Sequence, residues 1–177
     1  SGTEYSYRLC EFIRTSAPRG CSIFTSTLFR TLQTVTPLCP TMKKNKWSHE
    51  HPFLHVISAN LDEIDAGTCD GLTNAQLRTA YPDVVASRGR DKLRYRYPRG
   101  ESYEDLIQRV QPECERIRMH AVHAALRHIN AERGKSADFV DKNKPAPIWV
   151  VSHQATLRCV LAYFLDLPTE HIPTLSM

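Results

Sequence analysis

The sequence predicts an α/β fold built on a layered, mostly parallel sheet. Three observations carry that expectation. Helix-like and strand-like segments alternate along the 177 residues. The run I-W-V-V at positions 148–151 reads as a buried strand that delivers Ser152, His153 and Gln154 to its C-terminal tip, and residues 155–165 continue as a helix. Two further short apolar runs, at 22–25 and 53–59, also end close to residues able to do chemistry. In open α/β sheets ligands bind at that edge, where strands hand over to helices. Helix N-terminal amides there favour negative charge, so phosphate chemistry is the first expectation.

The elements follow in order. Residues 3–14 read as an amphipathic helix with Tyr5, Leu9, Phe12 and Ile13 on its inner face and Glu4, Arg8 and Glu11 outward. The 18–20 segment, with Pro18 and Gly20, breaks it. Residues 22–25 (S-I-F-T) form a short strand, and Ser26 is expected to cap a helix over 27–36 that Pro37 stops. Residues 39–52, polar and Lys-rich, read as a surface loop, and 53–59 as the next strand. A loop over 63–72 carries Gly67 and Gly71, and Thr73 caps a short helix to Ala80. Residues 82–99 read as irregular or weakly helical. A long helix begins at Glu101, with Tyr103, Leu106, Val110, Cys114, Ile117 and Ala121 on one side; Pro112 would kink it if it is continuous. Residues 133–147 form a second polar loop, and 168–172 begin a turn of helix after the strand and helix at 148–165.

Composition narrows the function. Hydrophobic residues make up 41% and charged residues 24%, the balance of a globular chain forming one domain, or most of one, over 1–177. No apolar run approaches the ~18 residues of a membrane helix, and no signal-peptide pattern opens the chain. The six cysteines (10, 21, 39, 69, 114, 159) contain no C-x-x-C pair, and Cys10, Cys114 and Cys159 lie on predicted helices among apolar neighbours. Buried free thiols in a reducing, cytoplasmic compartment are expected. The net charge is +4, with basic residues concentrated at 88–99 and a smaller group at Lys43, Lys44 and Lys46. Arg88, Arg90, Lys92, Arg94, Arg96 and Arg99 are mixed with Asp91, Glu101, Glu104 and Asp105. That mixture suits a compact anionic metabolite better than nucleic acid.

Arg30, Glu63 with Asp65, and His153 each follow a predicted strand. Arginine pairs bidentately with phosphate oxygens; histidine binds phosphate or acts as nucleophile or acid; a carboxyl group can protonate an alkoxide leaving group. Taken singly, each has a structural alternative. His153 could be a structural strand-end histidine, Arg30 a solvated helix residue, and Glu63 a loop acid. Asp65 is expected to bond loop amides in the D-A-G turn before Gly67. Tyr95, Tyr97 and Tyr103 could be ordinary aromatics at the core edge.

The run R-D-K-L-R-Y-R-Y-P-R-G-E-S-Y-E-D-L at 90–106, with L-D-E-I-D-A-G and S-H-Q-A-T-L-R, closely resembles the fructose-2,6-bisphosphatase domains of the bifunctional 6-phosphofructo-2-kinase/fructose-2,6-bisphosphatase family. Those domains belong to the histidine phosphatase, phosphoglycerate mutase-like superfamily. S-H-Q-A alone indicates only the superfamily, whereas R-Y-R-Y-P-R-G-E-S-Y is much more specific to the bisphosphatase branch. The resemblance covers nearly the whole chain apart from 43–52 and about 119–147. It implies a three-layer αβα fold and hydrolysis of the 2-phosphate of fructose 2,6-bisphosphate through a phosphohistidine. It implies that Arg30 grips the reacting phosphoryl group, Glu63 protonates the leaving sugar oxygen and His153 stabilises the transferring group. It implies that Arg88, Lys92, Tyr103, Gln154 and Arg158 hold the fructose 6-phosphate part. No metal or organic cofactor is implied for this half. ATP would serve only a kinase domain elsewhere in a parent chain, and no G-x-x-x-x-G-K-[ST] run occurs here. Neither nucleic acid nor membrane is an expected partner, and an oligomer is compatible with the reading.

The chain also departs from the family pattern. None of its eight histidines sits in an Arg-His-Gly motif, whose histidine is the family nucleophile. Asn74 stands where the family often has a substrate-binding Tyr. A domain truncated at both ends, lacking a normally central first strand and a strand after Pro173, is the expectation; this chain alone would then be inactive. The alternatives are a catalytically inactive phosphatase-like module that binds a sugar phosphate or a protein, and another histidine phosphatase or a phosphoglycerate mutase. A nucleic-acid-binding module is more distant.

Overall fold

A computed structural model of the chain describes residues 2–17, 21–38, 53–133 and 147–177. The expected break at 18–20, the loop at 39–52 and nearly all of the second polar loop lie outside the described residues. Backbone contacts group the chain into two compact units, one of residues 1–59 with 115–151 and one of residues 60–114 with 152–177.

The first unit holds a parallel sheet of three strands, β1 (Cys21–Thr25), β2 (Phe53–Ile57) and β3 (Ile148–Val151), in the order β2-β1-β3. Ser22 pairs with Leu54 on one side and Ile148 on the other, so the three strands run in step. Ile23, Phe24 and Thr25 are fully buried. β3 is half-buried along its length rather than buried as expected, because it forms the edge of this sheet and β1 is its one partner among the described strands.

Helix α1 (Gly2–Ser16) buries Ser6, Cys10 and Ile13, a stripe that Ala17 extends; Leu9 packs at its margin. The expected inner face was rotated from this one: Tyr5 and Phe12 are 64% and 56% exposed. Small residues on the stripe let α1 approach the end of α2 (Phe29–Val35), whose last carbonyls have no partner within their own helix. The Ser6 hydroxyl donates to the carbonyls of Thr34 (2.6 Å) and Gln33 (3.1 Å), and the Cys10 thiol to that of Thr34 (3.4 Å). Apolar periodicity cannot see such a requirement. Helix α2 is shorter than expected, with Leu28 at its N-cap and no side-chain cap. Ser26 instead accepts the Leu28 amide and pairs with the Thr31 hydroxyl, which makes a tight local turn.

The second unit contains α3 (Asn74–Ala80), α4 (Pro82–Arg90), the first part of α5 (Tyr103–Arg133) and α6 (Gln154–Phe164). Short 3₁₀ segments cover Gly67–Cys69 and Thr169–Thr174. Thr73 and Gln76 form a full capping box on α3. The stretch expected to be irregular or weakly helical begins with a regular helix, α4, with Pro82 in its first turn. α5 starts two residues later than expected. Ser102 is its cap, reciprocating with Asp105, which leaves Glu101 outside the helix for another role. The helix runs on past Pro112 without a break. Tyr103, Leu106, Val110, Cys114 and Ile117 are buried as expected, whereas Ala121 is exposed.

Two turns interlock in this unit. Gly67 adopts φ +53°, and a Cβ there would lie 2.1 Å from the Pro98 carbonyl oxygen; a Cβ on Gly100 would lie 2.4 Å from that of Asp65. Backbone bonds from Glu101 N–H to Asp65 O (2.8 Å) and from Thr68 N–H to Pro98 O (3.0 Å) close the join. The D-A-G and P-R-G-E motifs are thus two halves of one backbone contact. Asp65 also bonds the Gly67 amide (2.7 Å), as the turn chemistry predicted.

Candidate active site

Glu63 and His153 both belong to the second unit, where they share a scaffold. His153, 7% exposed, is the extended N-cap of α6, and its carbonyl accepts the Leu157 amide at 2.7 Å. On either side of it, the Ser152 hydroxyl donates to Leu61 O (2.6 Å) and the Thr156 hydroxyl to Asp62 O (2.7 Å). The loop carrying Glu63 is thereby laced to the turn carrying His153.

Arg109 completes that lacing from α5. Its guanidinium donates to the carbonyls of Asn60 (3.1 Å), Asp62 (3.2 Å) and Glu63 (3.3 Å), and pairs with both Glu101 oxygens at 2.8 Å. The other side of the Glu101 carboxylate accepts the Asp65 amide (3.0 Å). Burial pushes the Glu101 carboxyl upward, but the Arg109 and Asp65 hydrogen bonds outweigh it and leave the group below the usual range. Neither Arg109 nor Ser152 and Thr156 was foreseen as a site residue. The signal was weak: an arginine eight residues after a glutamate that itself lies outside the helix.

Lys92 and Arg158 contact Tyr103, and the charge of Arg88 bears on both Lys92 and Tyr103. The Lys92 ammonium lies 5.8 Å from the centroid of the Tyr103 ring and donates to Pro173 O (2.5 Å). Arg158 donates to the Tyr103 hydroxyl (3.2 Å) and to Leu175 O (2.7 Å). Arg88 lies over the Tyr97 ring at 5.7 Å. Burial, and then the charges of Arg88 and Arg158, hold Lys92 below the ordinary lysine range. Burial raises the Tyr103 phenol despite its bond to Arg158. Among the described residues, no carboxylate forms an ion pair with any of the three cations. Like charges collected without a counter-charge have a cost that a bound anion removes. The acids of the basic segment are engaged elsewhere: Asp91 and Glu104 with Arg94, and Asp105 with Arg96.

Gln154, the first residue of α6, is exposed, as is Asn74 at the start of α3. Arg30 belongs to the first unit, where it is exposed at the start of α2 and lines a cleft of about 540 Å³ with Ser6, Tyr7, Gln33 and Thr34. Cys159 of α6 is buried. Burial, reinforced by Cys114, pushes its thiol up to about 12, so it is inert as a nucleophile. Among the described residues, no group of His, Cys, Asp or Glu is arranged to hold a metal ion, and no helix is long and apolar enough to cross a membrane.

A histidine at the N-cap of α6, an acid-bearing loop laced to the turn that carries it, and cations without a carboxylate partner among the described residues are features that suit an anionic ligand. The chain matches the histidine phosphatase superfamily (branch 1) over residues 1–177 and belongs to that family. It is 38% identical over 179 residues to 6-phosphofructo-2-kinase/fructose-2,6-bisphosphatase of Arabidopsis thaliana, covering 100% of this chain and 19% of the relative. It is 35% identical over 174 residues to the enzyme of the same name from Gallus gallus, covering 98% of this chain and 29% of the relative. The chain therefore spans less than a third of these relatives' length. Among solved structures it is similar to a mycobacterial glucosyl-3-phosphoglycerate phosphatase, with a TM-score of 0.64 at 21% identity, over 98% of this chain and 71% of the other. That likeness supports the fold, which is the phosphoglycerate mutase-like α/β fold expected from sequence.

Proposed function

We propose that this chain is the fructose-2,6-bisphosphatase part of a protein that, when intact, hydrolyses the 2-phosphate of fructose 2,6-bisphosphate to fructose 6-phosphate and inorganic phosphate. The observation that carries the reading is the grouping of Lys92 and Arg158 on Tyr103 with Arg88 over the neighbouring Tyr97, close enough for their charges to act on one another, without carboxylate partners among the described residues. A substrate with a second phosphate needs such a cradle, remote from the reacting bond, and binding energy gained there orients the reacting phosphate. Gln154 would add a polar contact to the sugar. By resemblance, Arg30 grips the reacting phosphoryl group and His153 stabilises it in transfer. Glu63 gives its proton to the sugar O2 as the P–O bond breaks. The nucleophile would be the histidine of an Arg-His-Gly motif in the intact parent, and the chain by itself would not turn over. No metal or organic cofactor is proposed for this half. A kinase domain in the same parent, using ATP, and a cytoplasmic location belong to the same reading.

The lack of Arg-His-Gly within the 177 residues favours one rival, a catalytically inactive module that binds a sugar phosphate. Steady-state assays of the intact parent separate the two. Fructose 2,6-bisphosphate is expected to be turned over with a higher kcat/KM than 3-phosphoglycerate or p-nitrophenyl phosphate. Equal rates on all three overturn the substrate assignment, and no turnover beside retained fructose 6-phosphate binding favours the inactive module.

A further inference from the structure

We infer that Arg109 is a positioning residue for the Glu63 acid, acting through the backbone of residues 60–63, with Glu101 as its anchor. The inference rests on the proposed function, in which Glu63 protonates a leaving oxygen.

Four consecutive carbonyls, those of Asn60, Leu61, Asp62 and Glu63, are all taken by side chains, and Arg109 takes three of them. A run of backbone oxygens turned toward one cation is a curled loop that only a fork of several donors can satisfy. The planar guanidinium, with five N–H groups, has that fork; an ammonium has fewer donors and a different geometry. The remaining Arg109 donors are held by Glu101, which also takes the Asp65 amide. The backbone on both sides of the Glu63 side chain is therefore tied to one ion pair. Among the described residues the Glu63 carboxylate accepts its neighbour's amide, from Ile64 at 3.0 Å, and no side chain, which aims the carboxyl without committing it. A general acid must stand within hydrogen-bond reach of the oxygen it protonates, and small misplacements cost much of its effect. Arg109 is half-buried, paired with Glu101 and bonded to the loop that presents the acid.

The chemistry separates positioning from mere support. In the sugar ester the O2–P bond breaks as the nucleophile–P bond forms, and the departing alkoxide needs the Glu63 proton. In p-nitrophenyl phosphate the leaving phenolate departs without one. The test compares fructose 2,6-bisphosphate with p-nitrophenyl phosphate in the intact parent, using Arg109→Lys and Glu101→Gln, with Glu63→Gln as the reference. The expected result is a kcat on the sugar ester lowered by about 10- to 100-fold for Arg109→Lys, with KM and the aryl ester rate each within about threefold of the parent. Combined with Glu63→Gln, Arg109→Lys should add little, because both changes remove one contribution. Glu101→Gln should show the same substrate split in weaker form, and it keeps the test valid if Arg109→Lys folds poorly. If Glu63→Gln shows the split and the Arg109 and Glu101 variants slow both esters alike, Arg109 is structural and the inference is overturned. If Glu63→Gln itself shows no split, or the unaltered parent turns over neither ester, the functional reading falls first and the inference falls with it.

Discussion

Truncating Arg158 to Ala probes the cradle directly. Arg158 donates to the Tyr103 hydroxyl and to Leu175 O, and its charge bears on Lys92. A charge-assisted hydrogen bond contributes about 1.5–3 kcal/mol, or roughly 10- to 150-fold in affinity. Two features of the structure move the expectation toward the lower end. Loss of the Arg158 charge relieves Lys92, which then holds its own proton more readily, and Arg88 remains. The expected outcome is an affinity for fructose 6-phosphate about 10- to 30-fold weaker, measured by isothermal titration calorimetry of the intact protein at fixed ionic strength. The salt dependence of binding should also be shallower, since one cation fewer is neutralised. Arg158→Lys should lie between the two, keeping the charge and losing the fork. The variant leaves Leu175 O without its partner, so a loss of about 1 kcal/mol of stability accompanies the change. An affinity within twofold of the original, in a variant that keeps its Tm, would refute the assignment of Arg158 to the phosphate.

Three other expectations follow from the same geometry. Glu63→Gln should lower kcat on fructose 2,6-bisphosphate by about 100-fold or more with little change in KM; equal losses in both parameters in steady-state assays would count against an acid role. Lys92 has a folded pKa below its unfolded value, so unfolding takes up a proton between the two and its contribution to stability rises as pH climbs through that window. Fructose 6-phosphate binding should weaken over the same rise in pH, and Lys92→Met should abolish that dependence while holding or raising Tm; a Tm several degrees lower would contradict the picture of an uncompensated cation. Gly67→Ala must fit a Cβ 2.1 Å from the Pro98 oxygen at φ +53°, so a loss of about 3 kcal/mol in urea unfolding is expected. Gly71→Ala, at φ +75° with nothing within 4 Å, should lose only about 1 kcal/mol; equal losses would mean that the interlocked turns do not matter.

The fold was legible where burial and local chemistry agree. The I-W-V-V run and the S-H-Q turn after it showed both a strand and the start of α6 to within one residue, because a β-rich apolar run followed by helix formers has few other solutions. Thr73 was legible as the cap of α3, whereas Gln76, which completes the box, was not named. The face of α1 was misjudged because it is chosen by unpaired carbonyls at the end of α2, which attract Ser6 and Cys10, and not by the largest apolar side chains. The cradle residues were named from motif likeness, and their grouping on Tyr103 and Tyr97 is a tertiary fact that no periodicity encodes. Arg109 escaped notice for the same reason. Its partners are mostly backbone carbonyls some fifty residues away, and backbone groups carry no sequence signal. Glu101 was read as the first residue of a helix, when Ser102 takes the capping role and releases it for Arg109.

A crystal structure of the intact protein with fructose 6-phosphate bound would test the central claim most directly. The account predicts the phosphate within hydrogen-bond distance of Arg88, Lys92 and Arg158, with Lys92 and Arg158 released from the carbonyls of Pro173 and Leu175 or sharing them. A phosphate bound elsewhere, with those three side chains unchanged, would contradict it.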